Sequence, residues 1–286
     1  MQHLEGTFPG VDGIQLFYQC WRPAAVPPRA ALVSLHGLGA HSDHEAVVAE
    51  NLVPRGYAYY GMDLRGHGRS QGRRGHIRSW QDYRDDLAAF LALVAAREPG
   101  RPRFLLGVSA GALIALDYVL CAPGGPDLSG VVAQAPPIGR VGASPLRIAL
   151  ARALSRIWPT LTLDTKIDPA AVSRDAAFVE EVRSDPRWFS DVTVRLMSEL
   201  LDARARVHAR AAMLRVPVLI LHGAADRVTL PDGSRRLRAA AREGVVELRE
   251  YEGGYHNLFH DTATPTVLAD LDAWLSRHVP AAGPVG

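Results

Sequence analysis

The sequence predicts a mostly parallel, doubly wound α/β sheet with a block of helices inserted late in the chain. Three observations predict it. Short unbroken apolar runs each end in a glycine-rich or polar loop, helical stripes lie between those runs, and the stretch 138–212 contains no convincing strand. An apolar run without alternation is what a strand buried on both faces looks like, and such strands belong to parallel sheets covered by helices.

The elements follow in order. Val11-Asp12-Gly13, between Thr7-Phe8 and Ile14–Tyr18, reads as a hairpin at the start of the sheet. Ala30–Leu35, Tyr57–Met62, Phe104–Leu106, Val131–Ala133, Val216–Leu221 and Val245–Leu248 are the buried strands. Leu87, Phe90, Leu91 and Val94 repeat at i, i+3, i+4, i+7 behind Ser79 and Asp82, a capping-box pair. Val267, Leu268, Leu271 and Leu275 make a last helix after Thr264-Pro265. Within the insertion, Leu146, Leu150, Leu154 and Trp158 form one helical stripe, and Val194, Met197 and Leu201 another. Trp158, Trp188 and Phe189 add apolar bulk around Ser184-Asp185-Pro186. The expected organisation is a core of 1–137 and 213–279, a helical lid of 138–212 over the site, and a disordered small-residue tail, 280–286.

Composition excludes several classes. A chain of 286 residues with 48% hydrophobic residues can bury a sizeable core, and a net charge of +2 gives no field for nucleic acid. Cys20 and Cys121 are too few for a disulfide scaffold and fit a reducing, cytoplasmic setting. Residues 1–15 lack the basic start and apolar stretch of a signal peptide. The longest apolar run, Phe104–Leu116, is too short to span a bilayer and is interrupted by glycines.

That run has a chemical reading. Gly107-Val108-Ser109-Ala110-Gly111 is G-x-S-x-G where a strand meets a helix. A serine on so sharp a turn needs glycines beside it, and the helix N-terminus behind it favours developing negative charge. Ser109 is therefore the candidate nucleophile. A tetrahedral oxyanion needs two N–H donors, one from the residue after the nucleophile and one from an earlier loop. Ala110 supplies the first; Leu38, in His36-Gly37-Leu38-Gly39, supplies the second. A base and an orienting carboxylate should follow in the order Asp, His. Asp226 leaves the strand ending at Leu221-His222, and His256 follows the last strand, so both fall at the carboxyl edge of the sheet. Leu38, Ile138, Trp158, Met197 and Val228 are the expected substrate-binding residues.

Two other chemistries find less support. His41-Ser-Asp-His44 and His256-Asn-Leu-Phe-His260 have ligand-like spacing, but H-E-x-x-H is absent and no third ligand stands out, so no metal is expected. The elbow does not match G-x-G-x-x-G, so no nicotinamide cofactor is expected either.

Taken together these markers resemble the monoglyceride lipase and lysophospholipase branch of the α/β-hydrolases, from about Phe8 to His278. They are His36–Ser42, Asp63-Leu-Arg-Gly-His-Gly-Arg-Ser70 with Gln71-Gly72-Arg73, the Ser109 elbow, Gly223–Arg227, and Tyr251-Glu-Gly-Gly-Tyr-His256-Asn-Leu258. Ser173-Arg174 and Ser184-Asp185-Pro186 resemble that family's cap. The resemblance implies an α/β-hydrolase fold and a Ser109–His256–Asp226 triad. It also implies a structural Asp63–Ser70 turn and an apolar acyl tunnel under a cap that can sit on membranes. The elbow departs from the family's usual G-H-S-M-G-G at Val108, Ala110 and Ala112, the first loop carries Ala40 in place of glutamate, and Asp261 stands where a glutamate often follows the histidine. Ser109-Ala-Gly is also similar to the hormone-sensitive-lipase branch, whose triple glycine is interrupted here by Leu38.

The expected activity is hydrolysis of medium- to long-chain acyl esters such as monoacylglycerols through an acyl-enzyme, without a cofactor. The expected partners are the small-molecule ester and, through the cap, a membrane surface. The rivals are a short-chain carboxylesterase, a lysophospholipase, an aminopeptidase or amidase using Glu180, Glu181 or Asp185 to hold an amine, and a non-catalytic binding protein on the same scaffold.

Overall fold

A computed structural model describes residues 1–122, 127–140, 142 and 144–279; the tail 280–286 lies outside the described residues. The first two strands, β1 (Gln2–Pro9) and β2 (Gln15–Arg22), pair antiparallel across a turn in which Asp12 and Gly13 have φ of 66° and 75°. Then strands and helices alternate: β3 (Ala30–Leu35), α1 (Ala46–Leu52), β4 (Tyr57–Met62), α2 (Trp80–Arg97), β5 (Arg103–Val108), α3 (Ala110–Cys121) and β6 (Gly130–Gln134). The segment 138–212 holds α4 (Pro145–Ile157), β7 (Thr162–Asp164), α5 (Pro169–Val172), α6 (Ala176–Ser184), β8 (Asp191–Thr193) and α7 (Val194–Ala209). The chain returns to the sheet with β9 (Val218–Gly223), α8 (Asp232–Ala240), β10 (Val246–Tyr251) and α9 (Thr264–His278).

The main sheet has the order β1-β2-β4-β3-β5-β6-β9-β10, parallel from β4 to β10. Every residue of β3, β4 and β9 is buried because alternate side chains enter two different cores. Ala31, Val33 and Leu35 meet Leu87, Phe90 and Leu113 on one face, while Ala30 and Leu32 meet Val48, Leu52, Leu271 and Trp274 on the other. Each large apolar side chain so buried contributes about 1.5–3 kcal/mol. This is the physical content of the unbroken runs in the sequence. The strands on either side of β3 are β4 and β5, so the winding reverses there and opens a crevice beyond the carboxyl ends of β3 and β5.

Local details differ from expectation in three places. Ser79 caps α2 by accepting the Gln81 N–H at 3.0 Å, but Asp82 turns back to the Arg78 N–H at 3.0 Å rather than to Ser79, so the box is not reciprocal. The short ribbon of β7 and β8 was not expected; three residues per strand leave no pattern to read. Finally, α4 packs against α7 but turns its apolar stripe outward, with Leu146 79% and Leu150 58% exposed. In contrast α7 buries Val194 and Leu201 as expected.

The inserted segment is tied to the rest of the chain at several loops. Phe189 N–H donates to the Gly39 carbonyl at 3.3 Å, Thr193 N–H to Gly75 at 2.8 Å, and Asn257 N–H to Val172 at 2.8 Å. Arg174 holds the buried Asp261 carboxylate through Nε and Nη2. Among the described residues, no helix is long and apolar enough to cross a membrane.

Candidate active site

The elbow is built by close backbone approach. Ser109 sits between β5 and α3 with φ 52° and ψ −116°, a conformation L-residues rarely adopt. A Cβ on Gly107 would lie 2.4 Å from the Gly111 backbone, and one on Gly111 would lie 2.1 Å from the Leu35 carbonyl oxygen. The strand, the turn and β3 therefore fit together only with glycine at both positions. A Cβ at Gly37 would lie 3.2 Å from the Ser109 Cβ, so the loop after β3 also passes directly beside the serine.

That loop is held by His36. Its Nδ1 donates to the Gly37 carbonyl at 2.7 Å and its Nε2 accepts the Leu64 N–H at 2.9 Å, which fixes a neutral tautomer. Burial, reinforced by His67 nearby, pushes the His36 pKa well below its ordinary value. The Asp63–Ser70 turn braces the same loop. Asp63 accepts the Ser42 and Arg69 N–H groups at 2.8 and 2.7 Å, and the Ser70 hydroxyl donates to the Asp63 carbonyl at 2.6 Å. Among the described residues neither the Leu38 nor the Ala110 N–H has a protein acceptor, so both remain available to a ligand.

Asp226 and His256 meet at the other side of the crevice. His256 Nδ1 lies 2.8 Å from Asp226 Oδ2. A carboxylate only accepts, so Nδ1 carries a proton, and in the neutral ring the lone pair is on Nε2. Asp226 is buried and surrounded by donors. Oδ1 accepts the Val228 and Thr229 N–H groups at 2.8 and 2.9 Å; Oδ2 also accepts Thr229 Oγ1 at 2.9 Å and faces His222 Nε2 at 3.3 Å. Burial alone would raise its pKa; His256, His222 and these donors outweigh burial and hold it well below the usual carboxylate range. Gln134, at the end of β6, joins the two halves. Its carbonyl accepts the Ser109 N–H at 2.8 Å and its side-chain amide donates to the His256 carbonyl at 2.6 Å.

Ser109 and His256 face one narrow cavity of about 90 Å³, with no hydrogen bond formed between them. Ligand-free sites often tighten this contact only when substrate binds. An adjoining cavity of about 540 Å³ also reaches Ser109. Leu38 and Val228 line both spaces, and Ala110 and Met197 line the wider one. Two expected substrate-binding residues are not brought to either. Ile138 is fully buried in the core, where its carbonyl takes the His208 ring N–H at 2.7 Å, and Trp158 caps the end of α4 and is 58% exposed. Sequence reasoning missed Phe178 and Val182, which reach the narrow cavity from α6 beside Trp188 and Phe189. Their i, i+4 spacing was the available signal. It also missed Gln134, His222 and Thr229, which nothing in the sequence connects to Asp226 or His256.

Comparison with known proteins agrees with this architecture. The family model described as serine aminopeptidase, S33, an α/β-hydrolase family, matches residues 26–263. The chain is 32% identical to a monoacylglycerol lipase of Mycolicibacterium smegmatis over 96% of this chain and 98% of that protein. It is 31% identical to the human monoglyceride lipase, over 95% and 90%. The crystal structure of the Paleococcus ferrophilus monoacylglycerol lipase superposes with a TM-score of 0.81 at 30% identity, covering 97% of this chain and all of that one. The chain belongs to the α/β-hydrolases, in the monoglyceride lipase branch, and is an ester-hydrolysing serine hydrolase.

Proposed function

We propose that the protein hydrolyses medium- to long-chain acyl esters of the monoacylglycerol kind through an acyl-enzyme on Ser109. The observation that carries this reading is the largely apolar space against Ser109, walled by Leu38, Val108, Phe178, Trp188, Phe189 and Val228. Burying an acyl chain there contributes about 0.8 kcal/mol per methylene. His256 Nε2 takes the Ser109 proton as Oγ attacks the acyl carbonyl, and the Leu38 and Ala110 N–H groups receive the oxyanion. Collapse of the tetrahedral intermediate breaks the ester bond, and His256 returns the proton to the leaving glycerol oxygen. Water, deprotonated by the same imidazole, then attacks the acyl-Ser109 ester and releases the fatty acid.

In this reading 138–212 is the cap, since it supplies Phe178, Val182, Trp188 and Phe189 to the cavity wall. The aminopeptidase reading has less to stand on. Glu180 and Glu181 are exposed on α6, and Asp185 is engaged by His41 and Arg187. Glu45 is the only acidic side chain lining the narrow cavity among the described residues; burial raises its pKa to about 7, which makes it a weak anchor for an amine.

A rate profile over p-nitrophenyl esters from acetyl to palmitoyl, with a monoacylglycerol added, tests the proposal. Turnover should rise toward medium or long chains and the monoacylglycerol should be cleaved. Activity confined to acetyl and butyryl esters would replace the acyl tunnel with a small pocket. The outward stripe of α4, with Ile157 82% and Trp158 58% exposed, suits the boundary between lipid headgroups and acyl chains. The protein should therefore co-sediment with phosphatidylcholine vesicles, and Leu150→Asp with Ile157→Asp should return it to the supernatant. Wild-type protein that stays in the supernatant would remove this role.

A further inference from the structure

His41 and His44 have no third ligand nearby in sequence, but the fold supplies one. Asp185, at the end of α6, brings its carboxylate to both rings, so that one ligand atom from each residue lies within 4.8 Å of the other two. His41 Nε2 is 2.6 Å and His44 Nε2 3.7 Å from Asp185 Oδ2, and the two rings are 4.1 Å apart. We propose that His41, His44 and Asp185 form a site for a borderline divalent metal ion, Zn²⁺ being the class representative, that fastens the loop carrying Leu38 to the inserted segment.

Four observations carry the proposal. First, both histidines are almost wholly buried, and His41 Nδ1 and His44 Nε2 have no hydrogen-bond partner among the described residues. A buried ring nitrogen without a partner is costly, and a metal ion would satisfy the one on His44 directly. Second, the spacing suits zinc. Tetrahedral zinc with ligands at about 2.0–2.2 Å needs ligand atoms about 3.3 Å apart, and the two contacts to Asp185 fall on either side of that value.

Third, further hydrogen bonds anchor the ligand residues. The Ser42 N–H is fixed on Asp63, the His44 N–H donates to the His41 carbonyl at 3.2 Å, and the His260 ring contacts the His44 carbonyl. Asp185 Oδ1 accepts the Arg187 N–H at 2.8 Å, which leaves Oδ2 to face the histidines. Fourth, His44 also lines the cavity that holds Ser109, so the cluster lies at the edge of that cavity. Two imidazoles and one carboxylate select zinc or its transition-metal neighbours over calcium or magnesium.

One group opposes the ion. Arg187 Nη2 lies 3.2 Å from Asp185 Oδ2, while its Nη1 holds Asp43 Oδ2 at 2.6 Å. Its side chain is one-third exposed, so it can release Oδ2 and keep Asp43. This competition gives the test a direction that a merely structural histidine pair would not show.

The full chain, stripped with a chelator and desalted, is titrated with ZnCl₂ in a non-coordinating buffer and followed by calorimetry and thermal melting. One equivalent should bind with a dissociation constant of about micromolar or below, and saturation should raise Tm by roughly 5 °C. His44→Gln and Asp185→Asn should each weaken binding at least about tenfold, Arg187→Gln should tighten it, and the exposed His3→Ala should leave it unchanged. Co²⁺ bound to the wild-type protein should show the intense visible bands of a four- or five-coordinate nitrogen–oxygen site, which decides the matter even if a variant folds poorly. Absence of stoichiometric uptake by wild-type protein would overturn the proposal. So would zinc binding that persists unchanged in His44→Gln, or Co²⁺ spectra like those of the hydrated ion.

Discussion

Replacing Ser109 by alanine should abolish ester hydrolysis, lowering kcat at least about ten-thousand-fold, while leaving the fold intact. The methyl group occupies the same elbow, and the structural demands there fall on Gly107 and Gly111 rather than on the hydroxyl. Replacing Ser109 by glycine should be equally inactive but more stable than the alanine variant. The φ, ψ pair of 52° and −116° is the mirror image of an ordinary extended conformation. An L-residue is strained there by about 1–3 kcal/mol, whereas glycine adopts it freely. Glycine's larger unfolded-state entropy returns about 0.5–1 kcal/mol, leaving a net gain of roughly 1 kcal/mol measurable by urea unfolding. Substantial turnover by Ser109→Ala would remove Ser109 as nucleophile. A glycine variant no more stable than alanine would show that the elbow stores no strain.

The parts legible in the sequence were those whose cause is local. Ala30–Leu35 and Tyr57–Met62 read as doubly buried strands because composition alone records burial on both faces, and the structure gives both with the same bounds. G-x-S-x-G records a backbone clash that only glycine avoids, so the elbow was legible too. What was not legible depends on contacts across the fold. Gln134 binds the backbone at Ser109 and at His256 through the pairing of β6 with β5. A helical stripe likewise shows that one face is apolar but not which way it turns. For that reason α4, whose Leu146 and Leu150 face solvent, and Ile138, which enters the core, could not be placed from spacing alone.

Asp226→Asn should be the most damaging isosteric change in the site, and for two separable reasons. Every hydrogen bond to the carboxylate comes from a donor: the backbone N–H of Val228 and of Thr229 toward Oδ1, and Thr229 Oγ1 and His256 Nδ1 toward Oδ2. An amide brings one oxygen and one NH₂ into a ring of donors, so whichever way it turns a donor faces a donor. If the NH₂ faces the backbone, two buried N–H groups lose their acceptor, at about 1–3 kcal/mol each. If it faces His256, the imidazole must accept at Nδ1 and move its proton to Nε2, where it can no longer act as base. That tautomer change alone lowers kcat by about ten-thousand-fold. Both penalties should appear together, as loss of turnover and a lower urea midpoint. The stability penalty should also depend on pH. The folded-state pKa of Asp226 lies below its unfolded value, so the carboxylate stabilises the fold fully above about pH 4, and that stabilisation is lost as pH falls toward the depressed value. The gap between wild type and Asp226→Asn should therefore narrow in melts run progressively below pH 4. A gap that stays constant down to pH 2.5 would show that the donors around Asp226 do not distinguish carboxylate from amide by charge.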